Sequence, residues 1–178
     1  MSAIVNDADV YIIAVADEAI DEVVTDLRLP GKIAAHTAAS VSKDILKNVT
    51  EHYGVFYPLQ SLRKEMTALP DVPVFIEGSD DKTKKILEKL AHSISEEKVT
   101  VAKGDERMKL HVAAVVVSNF TNYLYKLAQD YCKKEGIDFN SLLPLIEETA
   151  GRLKSVSAAA SQTGPAIRDD KETIEKHL

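Results

Sequence analysis

The sequence has 178 residues, of which 45% are hydrophobic and 28% are charged, a composition typical of a folded soluble protein. The formal net charge of −6 argues against broad contact with nucleic-acid phosphates, and no stretch approaches the roughly 20 apolar residues of a membrane helix. Cys132 stands alone and the acidic N-terminus has no secretory signal, so we expect a cytoplasmic protein without disulfides and without nucleic-acid or membrane partners.

The first part of the chain reads as strand, helix, strand. DVYIIAVA at residues 9–16 is a short run rich in Val and Ile, which is typical of a strand covered on both faces. DEAIDEVVTDLRL follows with apolar residues at helical spacing behind an acidic first turn, and Pro30-Gly31 ends that helix before the strand KIAAHTA. Three elements within about 30 residues match one right-handed crossover unit, which predicts a parallel α/β sheet.

The alternation of strands and helices continues further along the chain. A helix is predicted near residues 40–52, and GVFYPL and PVFIEG are strand-like. An amphipathic helix from Lys82 to Ser93 then precedes the strand KVTVA at residues 98–102.

Beyond this strand the pattern is helical. A run of some 30 residues without proline or interior glycine predicts one long helix over 105–135 that ends at Gly136. A further helix can follow if Pro144 lies in its first turn. We therefore predict an α/β domain over residues 1–103 and an all-helical domain over residues 104–178.

Several polar residues follow the predicted strands directly. His36 ends a strand in AAHTAAS, and ligands bind at the carboxyl ends of parallel strands in open α/β sheets. His36 is equally well explained as a histidine held in the turn by its own hydrogen bonds. Asp17 ends the neighbouring strand and could simply cap a helix, and Gln60 could present its amide at the sheet edge or belong to a turn set by Pro58.

A polar stripe occurs on the long helix. His111, Ser118 and Asn122 are separated by seven and then four residues, which places them within about 20° of each other at 3.6 residues per turn. Such a stripe either meets a ligand or satisfies another helix, and the second case is the commoner one. Lys109 could stabilise a phosphate or a developing alkoxide, or could simply be solvated.

Two kinds of site have no support in the sequence. No histidine has a second ligand at a convincing spacing, so no metal is expected. The seven glycines contain no GxGxxG, the turn through which a dinucleotide site approaches the pyrophosphate.

Segments along the whole chain resemble one family. DADVYIIAVADEAI, AAHTAAS, GVFYPLQSL, KLHVAAVVVSNFTNYLY, LLPLIEETA and QTGPAIRDDKETIEKHL resemble, in order, NADP-dependent oxidoreductases related to pyrroline-5-carboxylate and ketopantoate reductases. The resemblance implies a partial Rossmann-like parallel sheet followed by an all-α helical domain. That family begins with a strand and a GxGxxG turn, whereas this sequence begins near the fourth strand. We therefore expect about the first 60–80 residues of a complete dinucleotide-binding half to be missing.

The same resemblance implies site residues for NADP. One loop, formed by Val15, Ala16 and Asp17, would lie beside the nicotinamide ribose. A second loop, formed by His36, Thr37 and Ala38, would lie near the nicotinamide. Ketopantoate-reductase-like enzymes place a lysine and an asparagine four residues apart on the first long helix of the helical domain, but here Lys109 is followed at that spacing by Ala113. His111, Ser118 and Asn119 could replace that pair as catalytic residues.

A substrate side of the cleft is expected from more distant segments. The candidates for substrate binding are Gln60, Asn122, Gln162, Thr163 and Arg168. Gly164-Pro165 would make a tight turn at the start of a last helix, where Arg168 could present its charged fork to a carboxylate or phosphate. The alternative is a plain helix-start turn in which Arg168 pairs with a neighbouring aspartate.

Two functions are compatible with these observations. The first is an oxidoreductase that transfers hydride between NADP and a small oxo- or imino-acid, with His111 as candidate proton donor. The second is a non-catalytic binding or dimerisation module in which the apolar helix over 105–135 packs against its twin. A homodimer through the helical domain is expected in both cases.

Overall fold

The structure is a computed structural model that describes residues 4–5, 7–62, 65–66, 72–96 and 98–177. These residues form two compact units, one that ends at Phe120 and one that begins at Thr121. The division falls within the long helical run, beyond the predicted boundary near residue 103. No helix in the described ranges is long and apolar enough to span a membrane.

The first unit contains a five-stranded sheet whose strands follow one another in chain order. The strands are β1 (Val10–Ile13), β2 (Ile33–His36), β3 (His52–Pro58), β4 (Val74–Gly78) and β5 (Val99–Val101). Because β1, β2 and β3 are parallel, their carboxyl ends lie at one edge of the sheet. This arrangement confirms the Rossmann-like α/β fold class.

The sheet is not parallel throughout. β4 runs antiparallel to β3, and β5 is parallel to β4. A parallel connection needs a crossover of a dozen or more residues, usually through a helix. The described part of the segment between β3 and β4 has no helix. Instead, the Leu59 N–H donates to the Pro73 carbonyl at 2.9 Å, which brings the two strands back as a hairpin.

Both faces of the sheet are covered, and β2 contributes to the two faces alternately. Ala34 packs in a cluster with α1 (Ile20–Thr25), whereas Ile33 and Ala35 pack in a second cluster with α2 (Asp81–Ile94). This is the period of two expected for a strand. The first predicted strand does not have this environment, since β1 lies at the edge of the described sheet and Ile12 is 39% exposed.

The helix α2 packs against the sheet at very short range. A Cβ atom on Gly54 would lie 2.2 Å from the Glu77 carbonyl oxygen and 2.8 Å from Leu87 Cδ1, so only glycine fits there. Asp80 caps α2 by accepting from the Thr83 N–H at 2.8 Å. The hydrogen bond from His52 and those at the cap hold the pKa of Asp80 well below its usual range.

The prediction of a helix near residues 40–52 is wrong. Only a short 3-10 helix forms, at Lys43–Leu46, and β3 already begins at His52. Thr50 is β-branched and favours extended backbone, and its hydroxyl donates to the Lys32 carbonyl at 2.6 Å. This bond ties the chain back to the start of β2 and leaves no room for a longer helix.

A buried arginine attaches α3 (Gly104–Val115) to the sheet. Arg107 is 1% exposed, and its Nη1 donates to Glu77 Oε2 at 2.9 Å and to the Ala102 carbonyl at 3.4 Å. Its Nε donates to the Ala39 carbonyl at 3.0 Å, and its Nη2 donates to the Val41 carbonyl at 2.8 Å. One side chain therefore joins α3 to the loop after β2, to β4 and to the segment after β5.

The helical run continues from α3 through a π-turn at Val116–Phe120 into α4 (Thr121–Glu135). Gly136 follows with a φ of +70°, which confirms the predicted end of the long helix. The helix α5 (Leu143–Arg152) comes next with its proline in the first turn, as predicted.

The last helix begins later than predicted. Gly164 has a φ of +107° and lies in a turn, but α6 spans Lys171–His177. Asp170 accepts from the Thr173 N–H at 3.1 Å and from its hydroxyl at 2.7 Å, which sets the start of this helix. The Gly164-Pro165 turn is therefore separate from the helix start.

Replacing Arg107 by Met should destabilise the fold by about 3–5 kcal/mol, because Glu77 and three carbonyls lose a buried donor. In a double-mutant cycle by urea unfolding, Arg107→Met with Glu77→Gln should cost clearly less than the sum of the single variants. Lys109→Met removes an exposed ion pair on the same helix and should change stability by less than about 1 kcal/mol. Strict additivity of Arg107→Met and Glu77→Gln would contradict the proposed coupling.

Candidate functional site

A cavity of about 500 Å³ opens where the carboxyl end of β3 meets α3 and the π-turn. Its lining residues are Tyr57, Leu59, Gln60, Ser61, Leu110, His111, Ala113, Ala114, Val115, Val117, Ser118 and Asn119. Four residues singled out from the sequence therefore lie around one space, namely Gln60, His111, Ser118 and Asn119. The size is within the range of small-molecule sites, about 300–1,000 Å³.

The central polar contact of the cavity joins a strand to a helix. The Tyr57 hydroxyl lies 3.1 Å from His111 Nδ1, and the two rings meet edge to face with centroids 6.2 Å apart. Burial raises the pKa of the Tyr57 phenol, the negative charge of Asp17 raises it further, and Arg107 lowers it. The phenol therefore stays protonated at neutral pH and is able to donate to the imidazole.

Sequence reasoning missed Tyr57. The segment YPLQ was noted only because Gln60 follows a strand. The available signal was the position of Tyr57 at the carboxyl end of a parallel strand, since such positions face the ligand edge of open sheets.

The π-turn changes which residues of the helix face the cavity. Ser118 and Asn119 belong to this turn and line the cavity together with Val117. The predicted stripe of His111, Ser118 and Asn122 assumed 3.6 residues per turn, but the wider i→i+5 turn alters that spacing. Asn122 lies in α4 and is exposed, and the lining residues end at Asn119.

His36 is completely buried and is held by backbone groups. Its Nδ1 accepts from the Ala38 N–H at 3.2 Å, and its Nε2 lies 3.2 Å from the Ser42 carbonyl. These two bonds require the neutral ring with the proton on Nε2, and burial lowers the pKa of His36. The ring therefore shapes the loop after β2, and both of its nitrogens are occupied.

The loops after β1 and β2 are joined at the same edge of the sheet as Tyr57. The Ser40 hydroxyl donates to Asp17 Oδ2 at 2.5 Å. Asp17 begins a 3-10 helix over Asp17–Ala19 whose N-cap residue is Ala16, and the N-cap residue of α1 is Ala19, so Asp17 occupies neither cap position. Val15 and Ala16 are exposed, Thr37 is half-buried and Ala38 is buried, so the first loop and Thr37 are accessible to a ligand at this edge.

The remaining predicted residues lie outside the cavity lining. Lys109 is 80% exposed at its side chain and lies 3.6 Å from Asp105, its partner one helical turn away. Gln162, Thr163 and Arg168 belong to the second unit and are exposed. Within the described residues, no three His, Cys, Asp or Glu side chains come together as metal ligands.

The chain matches one protein-family profile and several solved structures. A family profile described as "Domain of unknown function (DUF2520)" matches residues 72–178. No curated protein matches the chain.

Three solved structures illustrate the similarity. A Bacteroides fragilis protein described as "putative NADP oxidoreductase" is 36% identical with a TM-score of 0.83, and the match covers 96% of this chain and 67% of that chain. A Thermotoga maritima protein is 26% identical with a TM-score of 0.80, over 96% of this chain and 69% of that one. The 1-pyrroline-5-carboxylate reductase of Streptococcus pyogenes is 16% identical with a TM-score of 0.57, over 91% of this chain and 62% of that one, and it shares the fold.

The raised pKa of Tyr57 can be measured directly. Subtracting the alkaline phenolate absorbance titration of Tyr57→Phe from that of the wild type should give a midpoint above the ordinary value of about 10. Since the fold favours the neutral phenol, the stability contributed by Tyr57 is complete below about pH 10 and is lost as the pH rises through the folded pKa. A difference midpoint at or below 10, in a variant with an unchanged circular dichroism spectrum, would show that the phenol is not buried against His111.

Proposed function

The chain belongs to the family described as a domain of unknown function (DUF2520), and we propose that it acts in an oxidoreductase that transfers hydride between NADP and a small oxo or imino compound. The observation that carries the proposal is the Tyr57–His111 pair in a cavity at the carboxyl end of the parallel strand β3. A proton donor at the ligand edge of a Rossmann-like sheet is what reduction of a C=O or C=N bond requires.

The relatives support the same class of reaction. The Bacteroides fragilis protein, whose description names both NADP and an oxidoreductase, is 36% identical over 96% of this chain. The more distant structures support the fold, and the site residues of this chain support the chemistry.

The residues of this chain fit the nicotinamide half of NADP. The loops after β1 and β2 would lie along the nicotinamide and its ribose, with Val15 and Thr37 accessible and Asp17 tied to Ser40. His36 is a positioning residue in this proposal, since its two bonds fix the backbone of the second loop. No GxGxxG occurs in the sequence, so these residues do not supply the usual turn for the pyrophosphate.

The proposed chemistry divides between the cofactor and the cavity. NADP, when bound, would supply or accept the hydride at the substrate carbon. His111 would donate its Nε2 proton to the substrate oxygen or nitrogen, and its Nδ1, which lies 3.1 Å from the Tyr57 hydroxyl, would take up the phenol proton. The ring would then stay neutral, and solvent would return a proton to the Tyr57 phenolate. Ser118 and Asn119 would orient the substrate through their hydroxyl and amide groups, and Lys109 contributes only as a more distant charge.

The oxo- or imino-acid expected from the resemblance would need a cation for its carboxylate. The sequence predicts Arg168 for that role, with Gln162 and Thr163 beside it in sequence, and Asn122 as a further polar residue. All four residues belong to the second unit, and each is exposed.

Titration with NADPH and NADH, followed by thermal melting, tests the cofactor part of the proposal. We expect a saturable rise in melting temperature with NADPH, equivalent to about 2.7 kcal/mol at a hundred times the Kd. Thr37→Glu should weaken the binding of NADPH, because a new carboxylate at the second loop repels the cofactor phosphates. Ser93→Glu on α2 adds the same charge elsewhere and should leave the binding of NADPH unchanged. A cooperatively melting protein that neither nucleotide stabilises would contradict the oxidoreductase proposal for this chain.

A second candidate function, a binding or dimerisation module, is favoured by the apolar surface of α4. Four large side chains recur on this helix at spacings of one, three and four residues, and each is at least 45% exposed, namely Tyr123, Leu124, Leu127 and Tyr131. We propose that this stripe packs against a second copy of the chain. A homodimer of this kind is compatible with both functions and with the cytoplasmic location expected from the sequence.

Light scattering after size-exclusion chromatography tests the association. The wild type should elute as a dimer, and Leu124→Glu should elute as a monomer because a charge is placed within the apolar stripe. Gln129→Glu puts the same charge on another face of α4 and should remain dimeric. A wild type that stays monomeric at every concentration tested would rule out this interface.

A further inference from the structure

We infer that the cavity beside Tyr57 binds an uncharged carbonyl or imine group with a short apolar substituent, and that the substrates are neutral molecules instead of oxo- or imino-acids. The inference rests on the proposed function for the reaction, but the ligand class follows from the cavity alone. It replaces the acid expected from the family resemblance.

The lining of the cavity consists of apolar and neutral polar side chains. Its polar members are hydroxyl, amide and imidazole groups, namely Tyr57, Gln60, Ser61, His111, Ser118 and Asn119. Among the described residues that line this cavity, none is Lys, Arg, Asp or Glu. A carboxylate placed here would lose water without meeting a fixed cation, which disfavours its charged form strongly.

A neutral oxygen or nitrogen has suitable partners at the same place. His111 Nε2 can donate while Nδ1 is bound by the Tyr57 hydroxyl at 3.1 Å, and the Ser118 hydroxyl and Asn119 amide lie on the same lining. A carbonyl needs only one or two such donors to replace its bonds to water. Leu59, Leu110 and the alanines of α3 then face the substituent.

The charges around the cavity also oppose an anion. Among the described residues, Asp17 and Arg107 act on the pKa of the Tyr57 phenol through their charges. Arg107 is 1% exposed and is engaged by Glu77 and by carbonyls. Lys43 also contacts Glu77, and the carboxylates of Glu77 and Asp44 together balance the charges of Arg107 and Lys43. Lys109 has its own partner in Asp105. Of these described groups, Asp17 is the one that keeps an uncompensated charge, which is negative and repels a carboxylate.

A matched pair of ligands separates the two substrate classes. The amide 4-methyl-2-oxopentanamide and the acid 4-methyl-2-oxopentanoate share one carbon skeleton. They differ in one group, which is a neutral amide in the first and a carboxylate in the second. Binding is followed without cofactor, from the methyl NMR shifts of Ala113, Ala114 and Val117 in methyl-labelled protein. We expect the amide to bind the wild type at least about tenfold more tightly than the acid.

Charge variants test the physical reason. Gln60→Arg places a cation on the cavity wall and should raise the affinity for the acid relative to that for the amide by about tenfold. Asn48→Arg adds the same charge at an exposed residue that does not line the cavity and should leave both affinities unchanged.

Three results would overturn the inference. These are an acid that binds the wild type as tightly as the amide, no shift of the cavity methyls with either ligand, and an equal effect of Asn48→Arg and Gln60→Arg. Because the measurement omits cofactor, it is independent of the nucleotide titration. An amide that binds to a chain which NADPH does not stabilise would retain the ligand class and reject the oxidoreductase.

Discussion

The buried guanidinium of Arg107 is the interaction on which the arrangement of the first unit depends. It joins a helix to three segments that are far apart in sequence, through Glu77, Ala39, Val41 and the carbonyl of Ala102. A charge in this position is stable only when its N–H groups are satisfied, since an unpaired buried charge is very costly. These bonds therefore fix the register in which α3 packs on the sheet.

That register determines the geometry of the site. His111 follows Arg107 by four residues, so it lies one turn further along the same face of α3. The face that carries Arg107 into the sheet thus also carries His111 to the carboxyl end of β3, where the Tyr57 hydroxyl lies 3.1 Å from its Nδ1. Beyond this point the π-turn brings Ser118 and Asn119 to the same cavity. The loops after β1 and β2 reach that edge independently, because the three strands are parallel.

The sequence allowed the strands, the long helix and its end at Gly136 to be predicted, because these follow from hydrophobic period and glycine conformation. It did not reveal the antiparallel turn into β4, since strand direction depends on a connection and not on the pattern within a strand. Arg107 stood in the charged run DERMK, where nothing distinguishes a buried arginine from a solvated one. His111, Ser118 and Asn119 were found as polar residues on an apolar helix, whereas Asn122 was included because the π-turn has no signature in a 3.6-residue period. Tyr57 was missed because its role depends on a partner 54 residues away.

The separation of charge in this unit connects the fold with the proposed reaction. Arg107 and Lys43 share the carboxylate of Glu77, with Lys43 Nζ 3.1 Å from Glu77 Oε1, and Lys43 Nζ also lies 3.6 Å from Asp44 Oδ1. Two cations therefore meet two carboxylates. The described lining of the cavity offers neutral hydrogen-bond donors. When hydride adds to a neutral carbonyl, negative charge develops on the oxygen only in the transition state, and fixed donors such as His111 Nε2 stabilise that charge more than the ground state. A lysine or arginine on the wall would also bind anions that cannot react. A neutral wall with a phenol-supported imidazole therefore suits the reduction of an uncharged substrate better than the recognition of an acid.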